Sequence, residues 1–336
     1  MNTLLLNADE SGIAQAAEVI RRGGLVAFPT ETVYGLGADA LSADAVARVF
    51  EVKGRPRFDP TIVHVASQDE VRTLWKSIPP LAQTLMDRFW PGPLTLVLPK
   101  AKRVPDIVTA GLPTVAVRMP SHPVALQLIR ASDRPIAAPS ANRFGRSSPT
   151  HHEHVLSDLD KQVEAALAAG PTDVGIESTV LSLAESPPRL LRPGGTALEA
   201  LRELVPDLSV NAPVSPSSSP GTLPRHYLPH TPLFLLEPGA PGGSSEYLER
   251  RRCGMLAFKE PWKAFSRVEQ LSASGDLREA AAQFFAALRR LDAADLTAIV
   301  AEPVPEEGLG LAIADRLRRA SSGRARLAGE RVWILR

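Results

Sequence analysis

Cysteine is almost absent from this chain: Cys253 stands alone among 336 residues. A lone cysteine forms no internal disulfide, which excludes the stapled scaffold of a small secreted domain and suits a reducing, cytoplasmic setting. Aromatic residues are scarce at 5%, and the formal net charge is only +1. Neither property favours a nucleic-acid-coating surface, so stable direct binding of nucleic acid is not expected, and any charge-driven recognition must be local. No apolar run approaches the roughly 18 residues of a membrane helix, and the opening MNTLLLNADE carries no basic leader, so neither a membrane span nor a targeting segment is expected.

Proline, by contrast, is abundant at 31 residues, roughly 9% against a usual 5%. Many rigid loops follow. The length suggests roughly two domains of ~150 residues, and the boundary is visible in PDLSVNAPVSPSSSPGTLPRHYLPHTP. This segment, residues 206–232, holds seven prolines and five serines and keeps no helical or strand period. Domains are therefore expected at 1–205 and 233–336, joined by a linker. Before the linker, the strand-like runs LVAF, TIVHV, LTLVL, VAVR, PIAA, STVLSL and RLLR alternate with helical patterns, which indicates a mixed α/β fold. One helix is expected over 12–22, with Ile13, Ala16, Ala17 and Ile20 on one face and Gly23 as its stop. A second starts at a Ser42 cap, turns Val46, Val49 and Phe50 inward and ends before Gly54. After the linker, PLFLLE, CGMLAF and LTAIVAE read as strands, while Leu277, Ala280, Ala281, Phe284, Leu288 and Leu291 trace a helix face. A second, smaller α/β domain is expected there. GLGLAI, residues 308–313, lacks the third glycine of a dinucleotide fingerprint and reads as a helix start.

Polar residues gather where the first domain's strands end. In KGRPRFDPTIVH, residues 53–64, Lys53, Arg55 and Arg57 alternate, so an extended loop sends all three to one side. That pattern suits phosphate or carboxylate oxygens, and equally a solvated basic turn. FPTETVYGLGADA, residues 28–40, runs from a strand into hydroxyls and two glycines. It reads either as a cleft lining or as a tight turn that uses the freedom of Gly35 and Gly37, with Tyr34 packed. In PIAAPSANRFGRSSPTHHEHV, Ser140 and Asn142 end an apolar strand and Ser147 and Ser148 follow. Small polar residues with exposed amides suit a phosphate, and no G-x-S-x-G surrounds Ser140. The HHEH run is read as the first turn of a helix, with Thr150 and Glu153 at capping-box spacing, and no metal is assigned to it. Arg118, Glu177, Ser178, Thr179 and Arg192 also flank strands. Together these segments have the layout of one anion-binding cleft.

FPTETVYGLGADA, KGRPRFDP, FWPGPLTLVL, VAVRMPSHP, APSAN, GIESTVL and LLRPGG, in that order, with the linker motif SPGTLPRHYLP, closely resemble the two-domain form of the threonylcarbamoyl-AMP synthase family. The resemblance spans nearly the whole chain. It implies an N-terminal YrdC-like twisted mixed sheet with flanking helices and a smaller C-terminal Rossmann-like α/β domain. It also implies a reaction: the amine of L-threonine captures bicarbonate as a carbamate, whose oxygen attacks the α-phosphorus of ATP and releases pyrophosphate. This step leads to threonylcarbamoyl-adenosine in tRNA, and it implies hand-over to partner proteins of tRNA modification. Mg²⁺ is implied with ATP.

Residue by residue, the resemblance puts the threonine pocket at Thr32, His64, Arg118, Ala138 and Ser178. It puts ATP contacts at Arg55, Asp59, Thr114, Ser140, Ser148, Arg192 and Tyr227. Lys53 and Asn142 match positions expected to serve phosphate or carbamate. Because Tyr227 lies in the linker, the linker is expected to act as a lid over the first domain's cleft. The family usually has Asn and Leu where this chain has Asp59 and Thr61, and a basic, aromatic run where it has Thr222, Leu223 and Pro224. Asp59 repels triphosphate unless it binds Mg²⁺, pairs with Arg55 or Arg57, or meets the neutral part of the nucleotide. Two other readings compete. One is a double-stranded RNA-binding or ribosome-maturation module, and the other is a carbamoyltransferase acting through a carbamoyl-adenylate, whose zinc-type cysteine clusters a single cysteine excludes.

Overall fold

The computed structural model describes residues 2–56, 58–210, 225–240, 246–260 and 262–335. Arg57 and residues 211–224, most of the expected linker, including Thr222, Leu223 and Pro224, lie outside the described residues. The chain divides into two compact units, Met1–Phe144 with Ser148–Leu223, and Gly145–Ser147 with Pro224–Arg336.

In the first unit β1 (Leu4–Asn7), α1 (Glu10–Arg21), β2 (Val26–Phe28), β3 (Gly35–Asp39), α2 (Ala43–Lys53) and β4 (Ile62–His64) are followed by α3 (Pro80–Phe89), β5 (Leu94–Pro99), β6 (Thr114–Arg118) and α4 (Pro123–Ser132). Then come β7 (Ile136–Ala137), α5 (His152–Leu159), β8 (Ala165–Ala168), β9 (Thr179–Ser182), β10 (Arg189–Arg192) and α6 (Leu198–Arg202). The strands form one ten-stranded mixed sheet, in the order β1-β8-β2-β3-β7-β4-β6-β5-β9-β10. Helix α1 starts two residues before its expected bound because Asp9, not a later residue, accepts the Gly12 N–H at 2.8 Å; Ile13, Ala16, Ala17 and Ile20 are buried as their spacing requires. Helix α2 is capped by Ser42 and closed by Gly54 in the left-handed region at φ 61°.

Two local expectations are corrected. GLGAD is strand β3 rather than a glycine turn, and neither Gly35 nor Gly37 has a positive φ. These glycines are needed for close approach instead: a Cβ on Gly37 stands 2.8 Å from both Ile136 Cγ2 and the Phe28 ring. Helix α5 is capped by His151 and not by Thr150. The Thr150 N–H donates to His154 Nδ1 at 3.2 Å and its carbonyl accepts from Thr172 N, which places it one residue outside the helix, while His151 Nδ1 accepts from Glu153 N.

Strand register decides which side chains share a face. Ile62 pairs with Ala116, His64 with Arg118, Val97 with Ala116, and Thr95 with Val180. One face of the central strands sends Val63, Leu96, Leu98, Val115, Val117 and Leu181 into the main core with Leu74, Trp75, Leu85 and Met86. The other face carries a small separate apolar group of Ile62, Val97, Ala116, Val180 and Leu191. That group is the floor between the polar strand ends.

The second unit contains β11 (Leu233–Leu236), β12 (Glu246–Glu249), β13 (Cys253–Ala257), β14 (Arg267–Gln270), α7 (Leu277–Asp292), β15 (Ala298–Ala301), α8 (Gly310–Ala320), β16 (Gly323–Ala328) and β17 (Arg331–Leu335). The sheet runs β12-β17-β16-β11-β15-β13-β14, and its last five strands in that order are parallel, in Rossmann-like fashion. Ala280, Ala281, Phe284, Leu288 and Leu291 of α7 are buried as expected, while Leu277, in its first turn, is only half-buried. Gly310 opens α8 because a Cβ there meets the Pro305 carbonyl at 1.9 Å. No helix among the described residues is long and apolar enough to cross a membrane.

Candidate active site

Arg118 closes β6, and the parallel strand β4 places His64 directly opposite it. The guanidinium is 3% exposed and held from three sides. Nε donates to the Gly92 carbonyl at 3.1 Å, Nη1 donates to Thr32 Oγ1 at 2.9 Å, and Nη2 lies 2.6 Å from Glu31 Oε1. The Thr32 hydroxyl is fixed in turn against Thr30 Oγ1 at 2.8 Å, inside a turn that Thr30 closes on the Val33 carbonyl. His64 is buried with Phe28 edge-on to its ring. Burial, and then the charge of Arg118, push its pKa down to about 3. The imidazole is therefore neutral at neutral pH and hydrogen-bonds without carrying charge.

At the same end of the sheet, Ser178 Oγ sits 2.8 Å from Thr95 Oγ1. Arg192 donates from Nη2 to the Ser178 carbonyl at 2.9 Å and to its hydroxyl at 3.2 Å. The turn after Arg192 needs Gly194, since a Cβ there meets the Glu177 and Ser178 backbone at 2.3 to 2.4 Å. Ser148 Oγ donates to Glu177 Oε1. Thus Thr32, His64, Arg118, Ser178, Ser148 and Arg192 gather around one set of strand ends.

A second group lies at the other end of the short central strands, where Ala138 N donates to the Ile62 carbonyl at 2.9 Å and Ser140 bridges to Gly35. Lys53 Nζ donates to the carbonyls of Ser140, at 2.6 Å, and Asn142. Burial first, and then the nearby Arg55 charge, lower the lysine well below its usual pKa. Arg55 donates to the Asp59 and Pro60 carbonyls at 3.0 and 2.7 Å and pairs with Asp59 Oδ1 at 2.9 Å. Of the roles open to Asp59, the structure shows pairing with Arg55. Burial raises the Asp59 pKa against the lowering pull of Arg55. Thr61 is satisfied by donating to the Val108 carbonyl at 3.1 Å.

The expected one-sided row of Lys53, Arg55 and Arg57 is also corrected. Lys53 is the last residue of α2, and the left-handed Gly54 turns the chain so that Lys53 and Arg55 reach different carbonyls. Thr114 begins β6 on the face of Arg118, about 13 Å away along the strand. Asn142 Nδ2 donates to the Arg143 carbonyl at 2.7 Å. Tyr227 belongs to the second unit, where it is 1% exposed, with Arg316 over its ring at 5.6 Å, Phe285 at 5.5 Å and its carbonyl accepting from Ser147 Oγ at 3.4 Å. The donor atoms of His151, His152 and Glu153 lie within 4.8 Å of one another.

Sequence reasoning gave Glu31 and Thr95 no role. Thr95 had a readable signal, as the polar residue inside the apolar run LTLVL. Glu31 had none, because its partner Arg118 is 87 residues away and meets it only through the fold.

A family model described as "Telomere recombination" matches residues 18–194, and one described as "Threonylcarbamoyl-AMP synthase, C-terminal domain" matches residues 196–322. The chain is 45% identical over 340 aligned positions to a threonylcarbamoyl-AMP synthase of Pyrococcus abyssi, covering 96% of this chain and 98% of that protein. It is 45% identical over 331 positions to the Bacillus subtilis protein of the same name, covering 95% of each. Its fold matches the crystal structure of P. abyssi Sua5 complexed with L-threonine, at a TM-score of 0.88 and 41% identity over 97% of this chain and 100% of the other.

Proposed function

Because the chain belongs to the threonylcarbamoyl-AMP synthase family, it forms threonylcarbamoyl-AMP from L-threonine, bicarbonate and ATP, and we propose that one face of the first unit's sheet carries this reaction. Threonine's amine and bicarbonate give the carbamate and water. The carbamate oxygen then attacks the α-phosphorus, and pyrophosphate leaves. The observation that supports this placement is the strand-end pairing of a fixed guanidinium, Arg118, with a neutral imidazole, His64.

Arg118 receives the threonine carboxylate, since a guanidinium offers paired N–H donors to a carboxylate's two oxygens. His64, Thr32, Ala138 and Ser178 surround the rest of threonine, and a neutral His64 suits an uncharged hydroxyl. The nucleotide takes Arg55, Thr114, Ser140, Ser148 and Arg192. Lys53 spends two of its three N–H groups on the Ser140 and Asn142 carbonyls and keeps one for a phosphate or carbamate oxygen. Catalysis by positioned donors agrees with this inventory, because charge develops on phosphoryl oxygens and fixed N–H groups need no reorganisation to meet it.

Mg²⁺ accompanies ATP in this reading. The one cluster of three candidate ligand side chains among the described residues is at His151, His152 and Glu153, and Asp59 is ion-paired, so ATP's own phosphates and water supply most of the metal's ligands. The product passes to partner proteins of tRNA modification, in the cytoplasm. Incubating the purified chain with ATP, Mg²⁺ and bicarbonate, with and without threonine, tests the activity. Pyrophosphate release is expected to depend on threonine, and release at equal rate without it refutes the reading.

A further inference from the structure

Glu31 is buried beside Thr32 in the turn that follows β2, and its Oε1 lies 2.6 Å from Arg118 Nη2. Neither carboxylate oxygen has a hydrogen-bond donor beyond that ion pair. A carboxylate has about four acceptor positions, and a guanidinium has five N–H groups, of which two of Arg118's are hydrogen-bonded, to Gly92 and Thr32, while its Nη2 meets Glu31 only as an ion pair. Both members of this buried pair therefore hold unspent capacity, on neighbouring atoms and of opposite sign. Buried polar groups are normally satisfied, and one that is not calls for a partner.

The partner that fits is a molecule carrying an anion and a cation one carbon apart, which is the form of a free α-amino acid. We propose that Glu31 receives the α-ammonium group of threonine while Arg118 receives its carboxylate, so that the pocket selects an amino acid by its two charges together. This rests on the reading that Arg118 binds the threonine carboxylate. Without Glu31, the guanidinium alone accepts any small hydroxy acid of threonine's shape. The Glu31 and Asp173 carboxylates both act on the half-buried His122 imidazole, whose pKa burial lowers.

The test is a calorimetric titration with two ligands, L-threonine and (R)-3-hydroxybutanoate, which keeps the carboxylate and β-hydroxyl but lacks the amine. The unaltered chain is expected to bind threonine about 10- to 100-fold more tightly, the worth of one charge-assisted contact. Glu31→Gln is expected to collapse that ratio, weakening threonine while hydroxybutanoate binds as well as before or better, and Glu31→Asp to restore part of it. Retained hydroxybutanoate binding shows that the pocket is still folded. If Glu31→Gln weakens both ligands in proportion, Glu31 merely orients Arg118 and the proposal is overturned. Equal affinity of the unaltered chain for both ligands overturns it without any variant. Arg118→Ala is expected to weaken both; if both still bind as before, the carboxylate assignment beneath the proposal has failed instead.

Discussion

His64 makes the first unit acid-sensitive in a way that can be isolated. In the folded chain its pKa is about 3, pushed down first by burial and then by Arg118, whereas in the unfolded chain it returns to roughly 6.5. Below that value the unfolded state binds a proton that the folded state refuses. The stability owed to a neutral His64 is thus complete above pH 6.5 and is lost as pH falls toward 3. Between pH 7 and pH 5 the loss is about 2 kcal/mol. Other groups titrate over the same range, so the quantity to measure is the difference between the parent and His64→Gln at each pH. Urea unfolding followed by tryptophan fluorescence reads it, in a background of Trp262→Phe and Trp333→Phe that leaves Trp75 and Trp90, both in the first unit, as reporters. The parent is expected to lose about 2 kcal/mol relative to the variant on moving from pH 7 to pH 5. A difference unchanged across that range shows that His64 is charged or solvated in the folded chain, and the neutral-imidazole argument fails with it.

Asp59 and the linker give two further outcomes. Since Asp59 pairs with Arg55 and burial opposes its charge, Asp59→Asn is expected to keep the melting temperature within a few degrees and to hold or raise ATP affinity by removing a carboxylate that competes with phosphate for Arg55. A drop of tenfold or more in ATP affinity makes Asp59 a nucleotide ligand instead. For the proposed lid, cleaving the chain within residues 206–232 is expected to shorten the lifetime of threonylcarbamoyl-AMP in solution, followed by chromatography of the nucleotides. An unchanged lifetime removes the lid role.

Helices α1, α2 and α7 could be read from the sequence because their signals are local and repeated. Ile13, Ala16, Ala17 and Ile20, or Ala280, Ala281, Phe284 and Leu288, fall at helical spacing and are buried together. Strands β3 and β8 escaped for the opposite reason. GLGAD offers glycines where a strand normally shows branched side chains, and AALA is too small-sided to alternate visibly. Glycine was needed in β3 only because Phe28 and Ile136 press on it from other strands. The candidate site divides in the same way. Hydroxyls and arginines at strand ends could be noticed one by one, but the face they share is set by register, and the pairings of Arg118 with Glu31 and Ser148 with Glu177 span far too much chain to be read locally. The three residues Gly145–Ser147 group with the second unit, inside a segment that reads as continuous with the first.

The basic stretch KGRPR shows most clearly how tertiary context changes a composition argument. As a charge run, it predicts mobile, solvated cations that attract any anion. In the structure Lys53 and Arg55 are buried, and both already donate to main-chain carbonyls. Burial and the neighbouring Arg55 charge lower the Lys53 pKa, and two carbonyls anchor its Nζ, so the group is better described as a directed N–H donor than as a solvated charge. Such a donor is worth little at long range, yet it is aimed before the ligand arrives and loses little entropy when it binds. A surface cluster of the same three cations collects phosphate from solution without orienting it. The residue that separates these outcomes is Gly54, whose left-handed conformation ends α2 and sends the two cations to different anchors. Of all the features of this stretch, that glycine is the one whose structural consequence was already written in the sequence, as the helix stop.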